Sequence, residues 1–183
     1  RTLEEADQVI RLGDADLVAL TRAHIADPDL VKKTLAGHPE QVRPCIACNQ
    51  GCVGGLLGPA ARMGCTVNPA IGLEDTLEDA RLVAAATPRK VLVVGGGPAG
   101  MEAARVAALR GHHVTLAEAS IDLGGTLRIA ARAPQRHGIA DIAVWLEQEV
   151  YRLGVDVRLS TYLSADDICG MAPDAVIFAT GSM

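Results

Sequence analysis

Apolar residues follow two different rhythms along this 183-residue chain. In the first part the spacing is helical. Ala6, Val9, Ile10 and Leu12 share one face behind Thr2-x-x-Glu5, a capping box, and Gly13 stops the run. Leu17-Val18-Ala19-Leu20 reads as a short buried strand. Asp27-Pro28 then opens a second short helix through Leu30, Val31 and Leu35, ended by Gly37. That helix–strand–helix order suits the last βα unit of a parallel (β/α)8 barrel. From Lys90 onward the rhythm changes. Val91-Leu92-Val93-Val94, Val114-Thr115-Leu116, Val155 to Leu159 and Ala175 to Ala179 are short strand-like runs. Between them lie a small-residue helix through Ala103, Ala104, Ala107 and Leu109 and an amphipathic helix from Ile142 to Leu153. Strands alternating with helices predict an α/β fold with a Rossmann-like, doubly wound parallel sheet.

The middle of the chain has neither rhythm. Residues 45–72 carry cysteines, glycines and Pro59, so they predict loops organised by a ligand rather than by packing. Residues 73–89 turn acidic, then Ala-rich, and end in Thr87-Pro88-Arg89, the composition of a linker. The expected organisation is therefore 1–44, 45–72, the linker 73–89, and an incomplete nucleotide-binding domain over 90–183.

Composition narrows the function classes. An apolar fraction of 49% against 21% charged suits a core-forming protein. A net charge of −5 without a basic block, and aromatics limited to Trp145, Tyr151, Tyr162 and Phe178, give nucleic acid no footprint. No apolar run approaches the roughly 20 residues of a membrane span. The start at Arg1-Thr2-Leu3 is neither an initiator methionine nor a signal peptide, so a piece of a longer, cytoplasmic protein is expected.

Two clusters carry chemistry. Cys45, Cys48, Cys52 and Cys65 follow the pattern C-x2-C-x3-C with a remote fourth. Thiolates this close in a turning chain can converge on one centre, and a reducing compartment disfavours disulfides. Zinc and iron–sulfur clusters both accept four cysteines. Structural zinc usually uses two separated C-x2-C knuckles, whereas three ligands in one loop suit a cubane [4Fe–4S] cluster. Cys169 lies outside the set and is expected to be a buried, inert thiol. His24, His38 and His137 are isolated, and His112-His113 lack a third partner at metal spacing.

The second cluster is Gly95-Gly96-Gly97-Pro98-Ala99-Gly100, directly after an apolar strand. In such a loop Gly95 permits the turn, Gly97 lets the backbone approach a pyrophosphate, and Gly100 allows close helix packing. The helix opening at Pro98 offers free N–H groups to phosphate. Glu118, ending the second strand, stands where a carboxylate accepts from a ribose diol. FAD and NAD share this pattern. A second glycine pair, Gly124-Gly125 before Thr126, and the turn Ala179-Thr180-Gly181 after an apolar strand favour FAD; ADP held without turnover is the rival. On spacing alone, Arg22 could hold a phosphate or a surface salt bridge.

The ordered set Leu17-Val18-Ala19-Leu20-Thr21-Arg22, Arg43-Pro44-Cys45-Ile46-Ala47-Cys48-Asn49-Gln50-Gly51-Cys52, Cys65-Thr66-Val67-Asn68-Pro69 and Val93 to Gly100 resembles one family throughout. It is that of 2,4-dienoyl-CoA reductase and trimethylamine dehydrogenase, the iron–sulfur relatives of old yellow enzyme. The resemblance implies an FMN barrel, a [4Fe–4S] segment and an FAD- or ADP-binding domain, with NAD(P)H as the nicotinamide. It implies that Thr21 and Arg22 hold the FMN phosphate and that Cys45, Cys48, Cys52 and Cys65 hold the cluster. Ala99 falls at the pyrophosphate turn and Glu118 on the adenosine ribose, while Thr126, Arg136 and Leu163 fall on further FAD positions, Leu163 through its backbone. Most of the barrel and the NAD(P) lobe find no counterpart here. The chain alone is therefore expected to be inactive, as part of an oxidoreductase acting on an enoyl, enone or amine substrate.

Overall fold

The computed structural model describes residues 1–59 and 61–181. The chain divides into two compact units, Arg1–Asp79 and Ala80–Met183.

The first unit is built from short helices. In α1, Leu3–Arg11, Thr2 accepts from the Glu5 N–H at 3.2 Å and the Glu5 carboxylate accepts from the Thr2 N–H at 3.1 Å, completing the expected capping box. Leu17 to Leu20, expected as a strand, forms none, and Leu17 is 88% exposed. A strand needs a neighbour for its N–H and C=O groups, and the strands among the described residues all lie after Arg89. The chain instead passes into α2, Thr21–Ala26, and then α3, Leu30–Leu35. Two further short helices follow, α4 over Val53–Leu57 and α5 over Glu74–Leu77.

A buried carboxylate organises this unit. Asp27 accepts from Lys33 Nζ at 2.6 Å, from the Asp29 N–H at 3.0 Å and from the Arg43 N–H at 2.8 Å. A buried charge is tolerated only when paired and hydrogen-bonded, and here one acid ties α3 to the chain that enters the cysteine loop.

The second unit carries a four-stranded parallel sheet in the order β3-β2-β1-β4. Its strands are β1 Lys90–Val94, β2 His113–Ala117, β3 Asp156–Arg158 and β4 Ala175–Phe178. Register pairs Val93 with Leu116 on one side and with Ile177 on the other. Its helices are α6 Pro98–Leu109, α7 Thr126–Ala130, α8 Ala140–Arg152 and α9 Ala165–Met171. Leu92, Val93, Met101, Ala104, Leu116 and Val150 are fully enclosed. α6 packs on α8, and between them the buried Arg105 pairs with Glu102 at 2.9 Å and lies 5.4 Å from the Trp145 ring. Cys169, expected to be buried, is exposed: α9 is a two-turn helix with no buried residue. No helix among the described residues is long and apolar enough to cross a membrane.

Candidate functional site

Strand order reverses between β1 and β4, since β2 and β3 extend on one side of β1 and β4 lies on the other. In open α/β sheets the crevice beyond the strand C-termini at such a point is where ligands bind. The predicted nucleotide residues gather there. Gly95 follows β1 with φ +110°, and a side chain on it would strike the Ala179 backbone after β4. A Cβ on Gly100 would run into the Gly95 carbonyl. Only hydrogen at these two positions lets the turn, α6 and the end of β4 close together. Gly97 caps α6 with no side chain to satisfy the first-turn N–H groups, and Pro98 stands at the first helical position with Ala99 exposed behind it. A helix start of this kind presents donors and a positive dipole end to an anion.

Glu118 lies beside this turn. Its Oε2 accepts from the Gly96 N–H at 2.5 Å and its Oε1 from the Ser120 N–H at 2.7 Å. Partial burial pushes the carboxyl pKa up, but the N–H donors of Ser120 and Gly96 outweigh it and hold the group below its ordinary value of 4.5. The carboxylate is thus anionic and fixed in orientation, with lone pairs left for a diol. The second glycine pair also arrives: the Gly124 N–H donates to the Gly96 carbonyl at 2.8 Å, and a Cβ on Gly125 would stand 3.1 Å from Gly97 Cα. Thr126 is exposed at the start of α7, and Gly181 follows the β4 turn with φ +75°. Arg136 is exposed in the loop before α8, and Leu163 is half-buried between β3 and α9. For those two, the link to a nucleotide rests on the sequence resemblance.

The cysteines assemble in the first unit. Cys45, Cys48, Cys52 and Cys65 are free thiols that line one pocket, together with Arg22, Ile25, Ile46, Asn49, Thr66 and Val67. The remote fourth cysteine is brought in by backbone. The Gly64 N–H donates to the Gly51 carbonyl at 2.8 Å, and a Cβ on Gly51 would lie 2.9 Å from Gly64 C and 3.0 Å from Cys65 N. Arg43, buried two residues before Cys45, donates from Nη1 to the Val67 carbonyl, two residues after Cys65, at 2.5 Å. Asn68 donates to the Ile25 carbonyl at 2.9 Å. Both limbs of the loop are therefore anchored beside the thiols. Among the described residues no three His, Cys, Asp or Glu side chains converge closely enough to share a single ion. Four cysteine sulfurs lining one pocket are soft donors of the kind that zinc and iron–sulfur clusters both take.

Arg22, exposed in the first turn of α2 next to Thr21, donates from Nη1 to Asn49 Oδ1 at 2.7 Å, within the cysteine loop. The surface salt bridge that its spacing also allowed is replaced by this hydrogen bond to a neutral side chain. Sequence reasoning also missed Asn49 and Thr66, which line the pocket, and the anchors Asp27 and Asn68. The signal that was available is polar identity at Asp27 and Asn68 inside otherwise helix-opening and loop-like runs.

Comparison with known proteins places the chain. The family model for pyridine nucleotide-disulphide oxidoreductases matches residues 61–183. The NADH oxidase of Thermoanaerobacter brockii is 46% identical over 182 residues, which is 100% of this chain and 28% of that protein. The N,N-dimethylglycine/sarcosine dehydrogenase of Chromohalobacter salexigens is 42% identical over 97% of this chain and 25% of that protein. A 2-naphthoyl-CoA reductase solved with 2-naphthoyl-CoA superposes with a TM-score of 0.90 at 40% identity, covering 97% of this chain and 27% of that one. The chain thus spans about a quarter of the length of the relatives it matches. The chain belongs to the pyridine nucleotide-disulphide oxidoreductase family.

Proposed function

We propose that the chain is the electron-relay segment of a flavin-dependent oxidoreductase, passing electrons between FAD in the second unit, a [4Fe–4S] cluster on Cys45, Cys48, Cys52 and Cys65, and an FMN whose phosphate is held by Thr21 and Arg22. The observation that carries this reading is the gathering of the four free thiols, with Arg22, around one pocket. The relatives support it from another side. By name they include an NADH oxidase, an N,N-dimethylglycine/sarcosine dehydrogenase and a 2-naphthoyl-CoA reductase. Their substrates differ while this segment is common to them, so the segment serves what the reactions share. In the parent protein, electrons would enter from NAD(P)H and leave to an enoyl or enone substrate, or flow from an amine in the opposite sense. Residues 1–44 would face the FMN as the last repeat of a barrel, with Leu17 to Leu20 extended against strands of that barrel.

When bound, these groups supply one- and two-electron transfer; the chain's own part is to hold and orient them. Gly97 and the start of α6 would take the pyrophosphate, with Glu118 on the adenosine ribose and Gly125 and Thr126 closing over the flavin side. Gly51, Gly64 and Arg43 bring Cys65 to the pocket that the other three thiols line. Arg22 presents its charge toward the same loop. Anaerobic preparation of the protein, followed by iron, sulfide and flavin analysis and a visible spectrum, tests the reading. Iron and sulfide in near-equal amounts with flavin bands are expected. Stoichiometric zinc without iron would overturn it.

A further inference from the structure

Thr66 follows the fourth cysteine in sequence but meets the second in space. Its Oγ1 lies 3.3 Å from Cys48 Sγ, a contact between residues 18 apart. The contact exists because the Gly51–Gly64 closure folds the two limbs together. With a neutral thiol, sulfur can donate to the hydroxyl. A metal-bound thiolate has no proton to give, so the hydroxyl of Thr66 must then be the donor. A donor aimed at a ligand sulfur stabilises the more negative, reduced state of a cluster more than the oxidised state.

We infer that Thr66 is a positioning residue that raises the reduction potential of the centre held by the four cysteines, through its hydroxyl on Cys48 Sγ. The inference rests on the cluster reading above. Arg22, the charged residue of the same pocket wall, donates to the Asn49 amide instead. Ile25, Ile46 and Val67, also in that wall, have no side-chain donor. Among the described residues that line the pocket, Thr66 is thus the side chain seen hydrogen-bonded to a sulfur.

The test compares anaerobically reconstituted wild type, Thr66→Val and Thr66→Ser by iron and sulfide content and by dithionite titration followed by electron paramagnetic resonance. All three should hold equal iron. At a fixed potential Thr66→Val should show a reduced-to-oxidised ratio about tenfold lower than wild type, a midpoint about 59 mV more negative for a one-electron couple, and Thr66→Ser should restore it. Should the valine protein fail to assemble, Thr66→Ala carries the same expectation. Equal midpoints at full iron content would overturn the role of Thr66 and leave the cluster reading standing. A wild type without iron would overturn both.

Discussion

Glu118 is the residue at which charge and the backbone of the Gly-rich turn meet. Its carboxylate accepts from Gly96 and Ser120, so it orders the Gly-rich turn before any nucleotide arrives. A charge-assisted hydrogen bond to a ribose hydroxyl is worth roughly 1.5–3 kcal/mol, or about one to two decades of affinity. Glu118→Ala should therefore weaken ADP binding by that factor without altering iron content, as read by calorimetric titration. The same carboxylate should repel a 2′-phosphate, so 2′-phospho-ADP-ribose should bind weakly to wild type. The acid response follows from the depressed pKa. A carboxylate held below its ordinary value stabilises the fold above that value and loses the contribution as pH falls through the folded one. Denaturant midpoints should be flat from about pH 8 to 5 with respect to this group and fall below about pH 4. Glu118→Gln should blunt that acid decline, and an unchanged decline would remove Glu118 from it. At this scale the sequence was most legible where chemistry is local. The places of Glu118 beside the Gly-rich turn and of the four cysteines around one pocket follow from spacing, while Asn49, Thr66 and Asn68 act through partners 18 to 43 positions away, which spacing does not encode.

Among the elements, the two ligand loops depend on close backbone approach rather than on side-chain packing. In the cysteine loop, Gly51 faces Gly64 and Cys65 with no room for a Cβ. Gly51→Ala should therefore lose bound iron, as Cys48→Ser should, whereas Cys169→Ser on exposed α9 should keep it. Metal analysis after anaerobic desalting separates these outcomes, and full iron in Gly51→Ala would show that the loop closes another way. At the nucleotide turn, Gly100→Ala drives a methyl into the Gly95 carbonyl. Overpacking of this kind costs about 1–3 kcal/mol, so both the thermal midpoint and flavin retention should drop together. β1 and β2 were readable because each is a short apolar run ended by glycine or acid, and the sheet buries both faces of β1. Leu17 to Leu20 has the same apolar look yet forms no strand, since pairing is a property of neighbours rather than of the run. Helices α2 and α4 escaped notice for the converse reason. Neither has a side-chain cap, and each is six residues or fewer, too short for a hydrophobic period to show.

At the scale of the whole molecule, the two units have unequal means of holding themselves together. The enclosed apolar residues of the first are Ala6, Ala26, Leu30, Val67 and Ala70, among helices of four to nine residues. The second encloses a core between the strands β1 and β2 and the long helices α6 and α8, with Leu92, Val93, Met101, Leu116, Leu146 and Val150 at its centre. Isolated short helices are marginal without tertiary support, and a small core needs a staple. Where ligand thiolates converge only in the folded state, metal binding energy becomes folding energy. Removal of iron should therefore destabilise the first unit and spare the second. The chain supplies its own reporter for this. Trp145 is the single tryptophan, sits in α8 of the second unit and is 4% exposed, so its fluorescence follows that unit alone, while far-ultraviolet circular dichroism follows helices of both. After anaerobic chelation of iron, the dichroic transition should gain an early phase at lower denaturant, with the fluorescence midpoint unchanged. A fluorescence midpoint that fell in step with the dichroism would mean that the second unit also depends on the metal. A dichroic transition indifferent to iron would mean that Asp27, Arg43 and the glycine contacts already suffice to hold the cysteine loop.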